Sequence, residues 1–159
     1  MTLRDFRQKD LTSNDGTQDG VSAADADVAA AVATATTIYV CITCRGGADF
    51  EPVPTPGAVL ADATMRAAAG TGITVLRVRC LANCKRGLSA AVRRNHAWTY
   101  LFGGLDAENG AGALIEGARL FSHATDGVMP WRGRPEALKR GLVARTPPID
   151  FSGDLLGED

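Results

Sequence analysis

The chain carries its four cysteines as two close pairs, and each pair follows a short apolar run. Cys41 and Cys44 end the stretch "IYVCITC", and Cys80 and Cys84 follow the stretch "ITVLRV". The runs 37–42 and 72–80 hold β-branched residues that are typical of short strands. Each cysteine pair is therefore predicted to lie just beyond the end of a strand, so the arrangement of the sheet decides whether the thiols can meet.

Patterning predicts four more elements. Residues 57–70 have apolar side chains at helical spacing and end at a glycine, which predicts a helix between the two strands. Residues 88–104 predict a hairpin whose second strand alternates Trp98, Tyr100 and Phe102, a set that we expect to face the core. A helix is predicted over 105–124 with Asp106 as its cap, and a short last helix over 134–143.

The predicted order of strand, helix, strand, hairpin and helix is that of a thioredoxin-like α/β sandwich. The strand–helix–strand unit implies a right-handed crossover and parallel pairing, and the hairpin extends the sheet in the antiparallel sense. We therefore predict a mixed four-stranded sheet with two to three helices. Because the first two strands are parallel, both cysteine pairs are expected at the same edge of the sheet.

Charge divides the chain into three parts. Residues 1–37 and 147–159 are acidic and predict a disordered, Ala-rich N-terminal tail and an acidic C-terminal tail. The predicted domain, 38–146, has fourteen Arg or Lys against eight acids, which favours an anionic partner surface or ligand, with solvated surface charge as the alternative. Neither an export signal nor an apolar run of about 20 residues is present, which predicts a cytoplasmic protein with reduced thiols.

Four thiolates at one edge of a sheet suit either tetrahedral Zn²⁺ or a [2Fe–2S] cluster, since both take four cysteine ligands. The candidate ligands are Cys41, Cys44, Cys80 and Cys84. Two alternatives stay open, namely inert buried cysteines and thiol–disulfide chemistry at "CITC". The glycines and prolines that follow "CITC" argue against the immediate helix that such oxidoreductases use.

The segment 80–121 resembles the second half of thioredoxin-like [2Fe–2S] ferredoxins, which have two cysteines separated by three residues, a following glycine, a hairpin with an aromatic-rich strand and a final helix. Cys80, Cys84, Gly87, Trp98 and Tyr100 match that order. Two features differ: Leu88 stands where the ferredoxins commonly have proline, and the first cysteine pair is more closely spaced. The closer spacing is one that zinc tolerates well.

Residues 38–148 also resemble a bacterial family of small predicted metal-binding proteins of unknown function, often encoded near cobalamin-biosynthesis genes. The shared motifs are "CxxC", "CLxNCxxG" and a "PWRGRP"-like stretch. Together, the resemblances imply a [2Fe–2S] protein that transfers single electrons to or from a partner enzyme. The arginines and lysines near the cysteine loops favour a partner with an acidic surface, with solvated surface charge as the alternative. Handling of zinc or cobalt by the same cysteines is the alternative. The resemblance to ferredoxins also implies a homodimer, and the gene neighbourhood implies a role in cobalamin synthesis.

The remaining motifs indicate no enzyme and no nucleic-acid partner. The glycines of "GGLDAENGAG" lack the strand–GxGxxG–helix frame of a nucleotide site, and no Ser–His–Asp set or paired carboxylates stand out. Trp131 lies among the cations of "PWRGRPEALKR". Packing of this tryptophan on the sheet is the expectation, and a clamp for an anionic ligand or a partner is the alternative.

Overall fold

The computed structural model describes residues 35–47 and 53–153. Most of the predicted N-terminal tail and the last six residues of the predicted C-terminal tail lie outside these ranges. None of the helices in the described ranges is long and apolar enough to cross a membrane.

The first three elements form the predicted crossover unit. Strand β1 (Thr37–Cys41) leads to helix α1 (Pro56–Ala68) and then to strand β2 (Thr74–Val78), which pairs with β1 in parallel. Thr55 starts α1 because its hydroxyl accepts a hydrogen bond from the Ala58 N–H at 3.1 Å, and proline at the first helical position fits that helix start. The apolar face of α1 packs against β1 and β2.

The second half of the chain adds the predicted hairpin and two helices. Strands β3 (Ala90–Arg93) and β4 (Thr99–Phe102) pair antiparallel, and β3 also pairs antiparallel with β1. Helix α2 (Gly110–Ser122) packs against α1, and the short helix α3 (Glu136–Arg140) packs against α2. Both long helices contact β1 and also pack against each other, so they cover the same face of the sheet.

The core lies between this face and the helices. Side chains at alternate strand positions, Ile38 and Val40 on β1 and Val92 on β3, are fully buried. Tyr100 and Phe102 on β4 are fully buried as well, which confirms the expectation for these two aromatic residues, whereas Trp98 is only partly buried against the same core. The opposite face of the sheet is more open, and Leu76 on β2 is 45% exposed.

The α/β class and the mixed, thioredoxin-like arrangement are confirmed, but the predicted number of strands was wrong. The sheet has five strands in the order β2-β1-β3-β4-β5, and the fifth strand, β5 (Leu142–Thr146), pairs antiparallel with β4. The predicted last helix, 134–143, is only five residues long and stops before this strand. The sequence did not indicate β5 because its side chains are half-buried or exposed, so they lack the apolar alternation of an inner strand.

Helix α2 begins later than predicted. Asp106 does not cap the helix itself; its Oδ1 accepts hydrogen bonds from the N–H groups of Glu108 and Asn109, which closes a turn before Gly110. An aspartate side chain can satisfy main-chain N–H groups in a turn as well as at a helix start, so the sequence signal was ambiguous.

Gly57 lets α1 approach the end of β1. A Cβ at this position would lie 2.2 Å from the Cys41 carbonyl oxygen and 3.1 Å from the Cys44 nitrogen, which are main-chain atoms that cannot move aside easily. We expect Gly57→Ala to lower the free energy of unfolding by about 1–3 kcal/mol, as overpacking does in protein cores. Urea unfolding of the reduced, metal-free chain, followed by circular dichroism, measures this change.

Gly112→Ala is the matched control in helix α2. A Cβ there meets no atom within 4 Å, so the substitution is expected to raise helix stability by roughly 0.5–1 kcal/mol. Equal effects of the two substitutions would contradict the close approach of α1 to the Cys41–Cys44 loop.

Candidate metal centre

The first cysteine pair is buried where β1 ends against the start of α1. Cys41 is 2% exposed and Cys44 is 5% exposed. The Gly57 N–H donates to the Cys44 carbonyl at 3.0 Å, and the Thr55 hydroxyl donates to the Ile42 carbonyl. The start of α1 therefore fixes the path of the main chain through the C-x-x-C loop.

Parallel pairing brings the end of β2 beside this loop. Cys41 lies opposite Val78 in the register, and the Ile42 N–H donates to the Val78 carbonyl at 2.9 Å. The Thr43 hydroxyl donates to the Arg79 carbonyl, and the Cys41 Sγ lies 3.5 Å from the same oxygen. The residue immediately before Cys80 is thus in contact with the first pair.

The second pair lies on an exposed loop beyond β2. Cys80 and Cys84 are both exposed, and Cys84 starts a single 3₁₀ turn, Cys84–Arg86. The Ala82 N–H donates to the Cys80 Sγ at 3.2 Å. The Asn83 amide donates to the Arg86 carbonyl at 3.3 Å and to the Ser89 hydroxyl at 3.0 Å, which attaches the loop to the start of β3.

The two pairs share a cavity at this edge of the sheet. Cys44 and Cys84 both line it, together with Thr43, Arg45 and Gly47, and its volume is about 420 Å³. Gly87 borders the buried thiol, because a Cβ on Gly87 would lie 3.2 Å from the Cys44 Sγ. The absence of a side chain at Gly87 therefore leaves room beside the sulfur.

The thiols of the first pair are electrostatically unequal. Burial raises the pKa of Cys41, but hydrogen bonds from the Thr43 hydroxyl, from the Thr43 and Leu81 N–H groups and from the Cys44 thiol outweigh it, so the pKa is lowered. Burial, together with the neighbouring Cys41, raises the pKa of Cys44 to about 11 against the opposing effect of hydrogen bonds from Ser89. Cys41 is thus the more readily ionised thiol of the pair, and a bound cation would stabilise negative charge on Cys44 as well.

The four thiols are suitable ligands for a four-cysteine metal centre, and they lie at the same edge of the sheet. The fit is incomplete in distance, because within 35–47 and 53–153 no three Cys, His, Asp or Glu side chains form a group close enough to hold a metal ion. Binding through all four cysteines therefore requires the exposed loop 79–87 to bring Cys80 and Cys84 closer to the buried pair. The low burial of that loop is compatible with such a movement.

Several residues that position the site were not identified from the sequence. Thr43 and Thr55 connect the first loop to β2 and to α1, and Asn83 holds the second loop on β3. The signals were weak, since Thr and Asn in loops commonly make local hydrogen bonds of this kind. Which loop each side chain reaches depends on the strand pairing, which the local sequence does not specify.

Comparison with known proteins places the chain in a family. Residues 38–148 match the family described as "Protein of unknown function (DUF1636)". The chain belongs to this family. The matched range contains all four cysteines and the described sheet from β1 to β5, apart from Thr37 at the start of β1.

Among solved structures, a thioredoxin-like [2Fe–2S] ferredoxin from Aquifex aeolicus is similar to this chain, with 16% identity and a TM-score of 0.46. The similarity covers 74% of this chain and 98% of the ferredoxin. No curated protein is similar enough to the chain to count as a match.

The burial of the four cysteines predicts the order in which they are alkylated in the reduced, metal-free protein. Iodoacetamide is expected to modify Cys80 and Cys84 first, because they are exposed, and Cys44 last. The thiolate is the reactive form, so the high pKa keeps Cys44 protonated at neutral pH. Its modification rate should rise roughly tenfold per pH unit until the pH approaches that pKa. Peptide mass spectrometry over a time course measures each site, and equal rates at Cys44 and Cys84 would contradict the described burial.

Proposed function

We propose that Cys41, Cys44, Cys80 and Cys84 hold one [2Fe–2S] cluster and that the protein transfers single electrons to or from a partner enzyme. The observation that carries this proposal is the parallel pairing of β1 and β2, which places both cysteine pairs at one edge of the sheet. Cys44 and Cys84 already line one cavity there. The resemblance of segment 80–121 to thioredoxin-like ferredoxins favours iron–sulfur chemistry over other uses of four thiols.

The division between a buried and an exposed pair suits an electron carrier. A bound cluster would supply one-electron chemistry. The first pair would anchor it in the domain, while the exposed loop of the second pair would keep it near solvent and near a partner. The N–H groups of Thr43, Leu81 and Ala82 already point at the cysteine sulfurs, and such hydrogen bonds stabilise negative charge on thiolates.

Cations around the exposed loop support a partner with an acidic surface. Arg79, Lys85 and Arg86 are all exposed and flank Cys80 and Cys84. Like-signed charge around a small contact region increases the rate at which an oppositely charged partner associates. The Arg86 guanidinium also donates to the Arg140 carbonyl at 3.3 Å, which ties the loop to the end of α3.

Zinc or cobalt held by the same thiols is the second candidate function. The two-residue spacing of Cys41 and Cys44 favours it, because C-x-x-C pairs are common in four-cysteine zinc sites. A thiol–disulfide oxidoreductase is less well supported, since its attacking sulfur must be accessible and both sulfurs of the C-x-x-C pair are buried.

Anaerobic purification of the full chain decides between these candidates. We expect a red-brown protein with charge-transfer bands and about two irons and two sulfides per chain, as a [2Fe–2S] cluster requires. A colourless protein with one zinc or cobalt would contradict electron transfer and support metal handling. A metal-free protein with a reversible Cys41–Cys44 disulfide would support the oxidoreductase alternative and contradict both metal proposals.

Serine substitutions test which cysteines are ligands. Cys80→Ser and Cys84→Ser are each expected to lose most of the bound iron and the visible absorption, because one of four thiolate ligands is removed. Arg119→Gln, an exposed substitution on α2, is the control and should keep both. Full metal content and colour in either serine variant would contradict ligation by that cysteine.

A role in cobalamin synthesis is part of the proposal, and it is motivated only by the gene neighbourhood of the resembling family. Deletion of the gene is expected to lower corrinoid production, which is measured in cell extracts with a complemented strain as control. Normal production would contradict the role. Cytoplasmic location and homodimer formation also stay predictions.

A further inference from the structure

Arg134 is a buried cation without a carboxylate partner among the described residues. It is 6% exposed, its Nε donates to the Pro130 carbonyl at 3.3 Å, and one terminal nitrogen donates to the Met129 carbonyl. No described Asp or Glu oxygen lies within ion-pair distance of its guanidinium. Burial of an arginine is costly unless its charge is compensated, and an anion would compensate this charge more fully than the two carbonyls do.

A cavity of about 310 Å³ adjoins this guanidinium. Its lining includes Arg134, Arg145, Tyr100, Trp131 and Asp126, and it includes none of the cysteines. The guanidinium carbon of Arg134 lies 5.4 Å from the centroid of the Tyr100 ring and 5.3 Å from that of the Trp131 ring. Aromatic rings therefore hold the cation at the cavity wall.

The two arginines of this cavity repel each other. Burial lowers the pKa of Arg134, and the charge of Arg145 lowers it further, although contact with Tyr100 opposes both. Tyr100 on β4 and Arg145 on β5 are paired across the two strands. The Arg145 side chain therefore extends from the strand next to the Tyr100 ring, on which the Arg134 guanidinium is stacked. Asp126 also lines the cavity, and its Oδ1 accepts a hydrogen bond from the Val128 N–H at 3.0 Å.

Trp131 gives the cavity an exposed flat wall. The expectation that this residue packs on the sheet was wrong, since it is 62% exposed. The Lys139 nitrogen lies 5.8 Å from its ring centroid and adds another cation beside the Trp131 ring. The Arg145 guanidinium carbon lies 4.6 Å from the centroid of the Trp98 ring, and Arg145 also lines the cavity. An exposed indole next to the Arg134 guanidinium can contact the apolar part of a ligand whose charged end meets the arginines.

We propose that this cavity binds a small molecule that carries an oxyanion, a carboxylate or a phosphate, with the anion on Arg134 and Arg145 and the rest of the ligand against Trp131. Guanidinium groups match the planar or tetrahedral oxygen sets of these anions and can donate two parallel hydrogen bonds to them. The volume is near the lower end of small-molecule sites, which excludes a large ligand. None of the cysteines lines this cavity, so the test of this proposal is independent of the test of the proposed metal centre.

Calorimetric titration of the full chain at constant ionic strength tests the proposal, with inorganic phosphate and benzoate as separate probes. We expect saturable binding of at least one probe at one site per chain. Arg145→Gln should weaken that binding by roughly tenfold or more, because a charge-assisted hydrogen bond is lost. Arg119→Gln, which removes an exposed arginine outside the cavity, should leave it unchanged.

Arg134→Lys is the second test variant, because removal of the buried charge alone risks unfolding. Arg134→Lys keeps the positive charge but loses the planar, forked set of N–H donors, so it should weaken binding of the probe. The midpoint temperature of unfolding of Arg145→Gln should stay close to that of the unaltered chain. Binding of phosphate alone identifies a phosphate-bearing ligand, and binding of benzoate alone identifies a carboxylate. Failure of both probes to bind, or equal binding by Arg145→Gln and Arg119→Gln, would overturn the proposal.

Discussion

The parallel pairing of β1 with β2 is the constraint on which the candidate metal centre depends. Strands that run in the same direction end at the same edge of a sheet, so cysteines separated by more than thirty residues in the sequence become neighbours. An antiparallel pairing of the same two strands would send the pairs to opposite edges. The α1 crossover makes the parallel arrangement possible, and the contact at Gly57 sets how closely the helix meets the first cysteine loop.

The centre combines a fixed half with an open half. The C-x-x-C loop is held by α1 and by the hydroxyls of Thr43 and Thr55, whereas the loop that carries Cys80 and Cys84 is exposed and is attached through Asn83 to β3 and through Arg86 to the end of α3. A site built in this way can hold two ligands in place before binding and recruit the other two on binding. The same asymmetry leaves the exposed cysteines at the surface, where contact with another protein is possible.

Two groups of cations in the domain lie in different surroundings. Arg79, Lys85 and Arg86 surround the exposed cysteines, whereas Arg134 and Arg145 converge on a separate cavity beside β4 and β5. The first group is solvated, so its effect is long-range and sensitive to salt. In the second group Arg134 is buried beside aromatic rings, where an interaction with an anion is stronger and more specific. The two groups would therefore suit two different kinds of binding, if the proposed partner and the proposed anion are bound.

The sequence by itself determined much of the fold, because the spacing of apolar residues indicates which side chains are buried. The alternation of Tyr100 and Phe102, the hairpin turn and the helix before β2 all followed from periodicity, and so did the placement of the cysteines at strand ends. Only the tertiary structure decided β5, whose half-exposed residues become a strand because β4 offers a free edge. It also decided that Arg134 is buried against the Tyr100 ring of β4 while Trp131 of the same segment stays exposed, since a contact between distant segments has no local signature in the sequence.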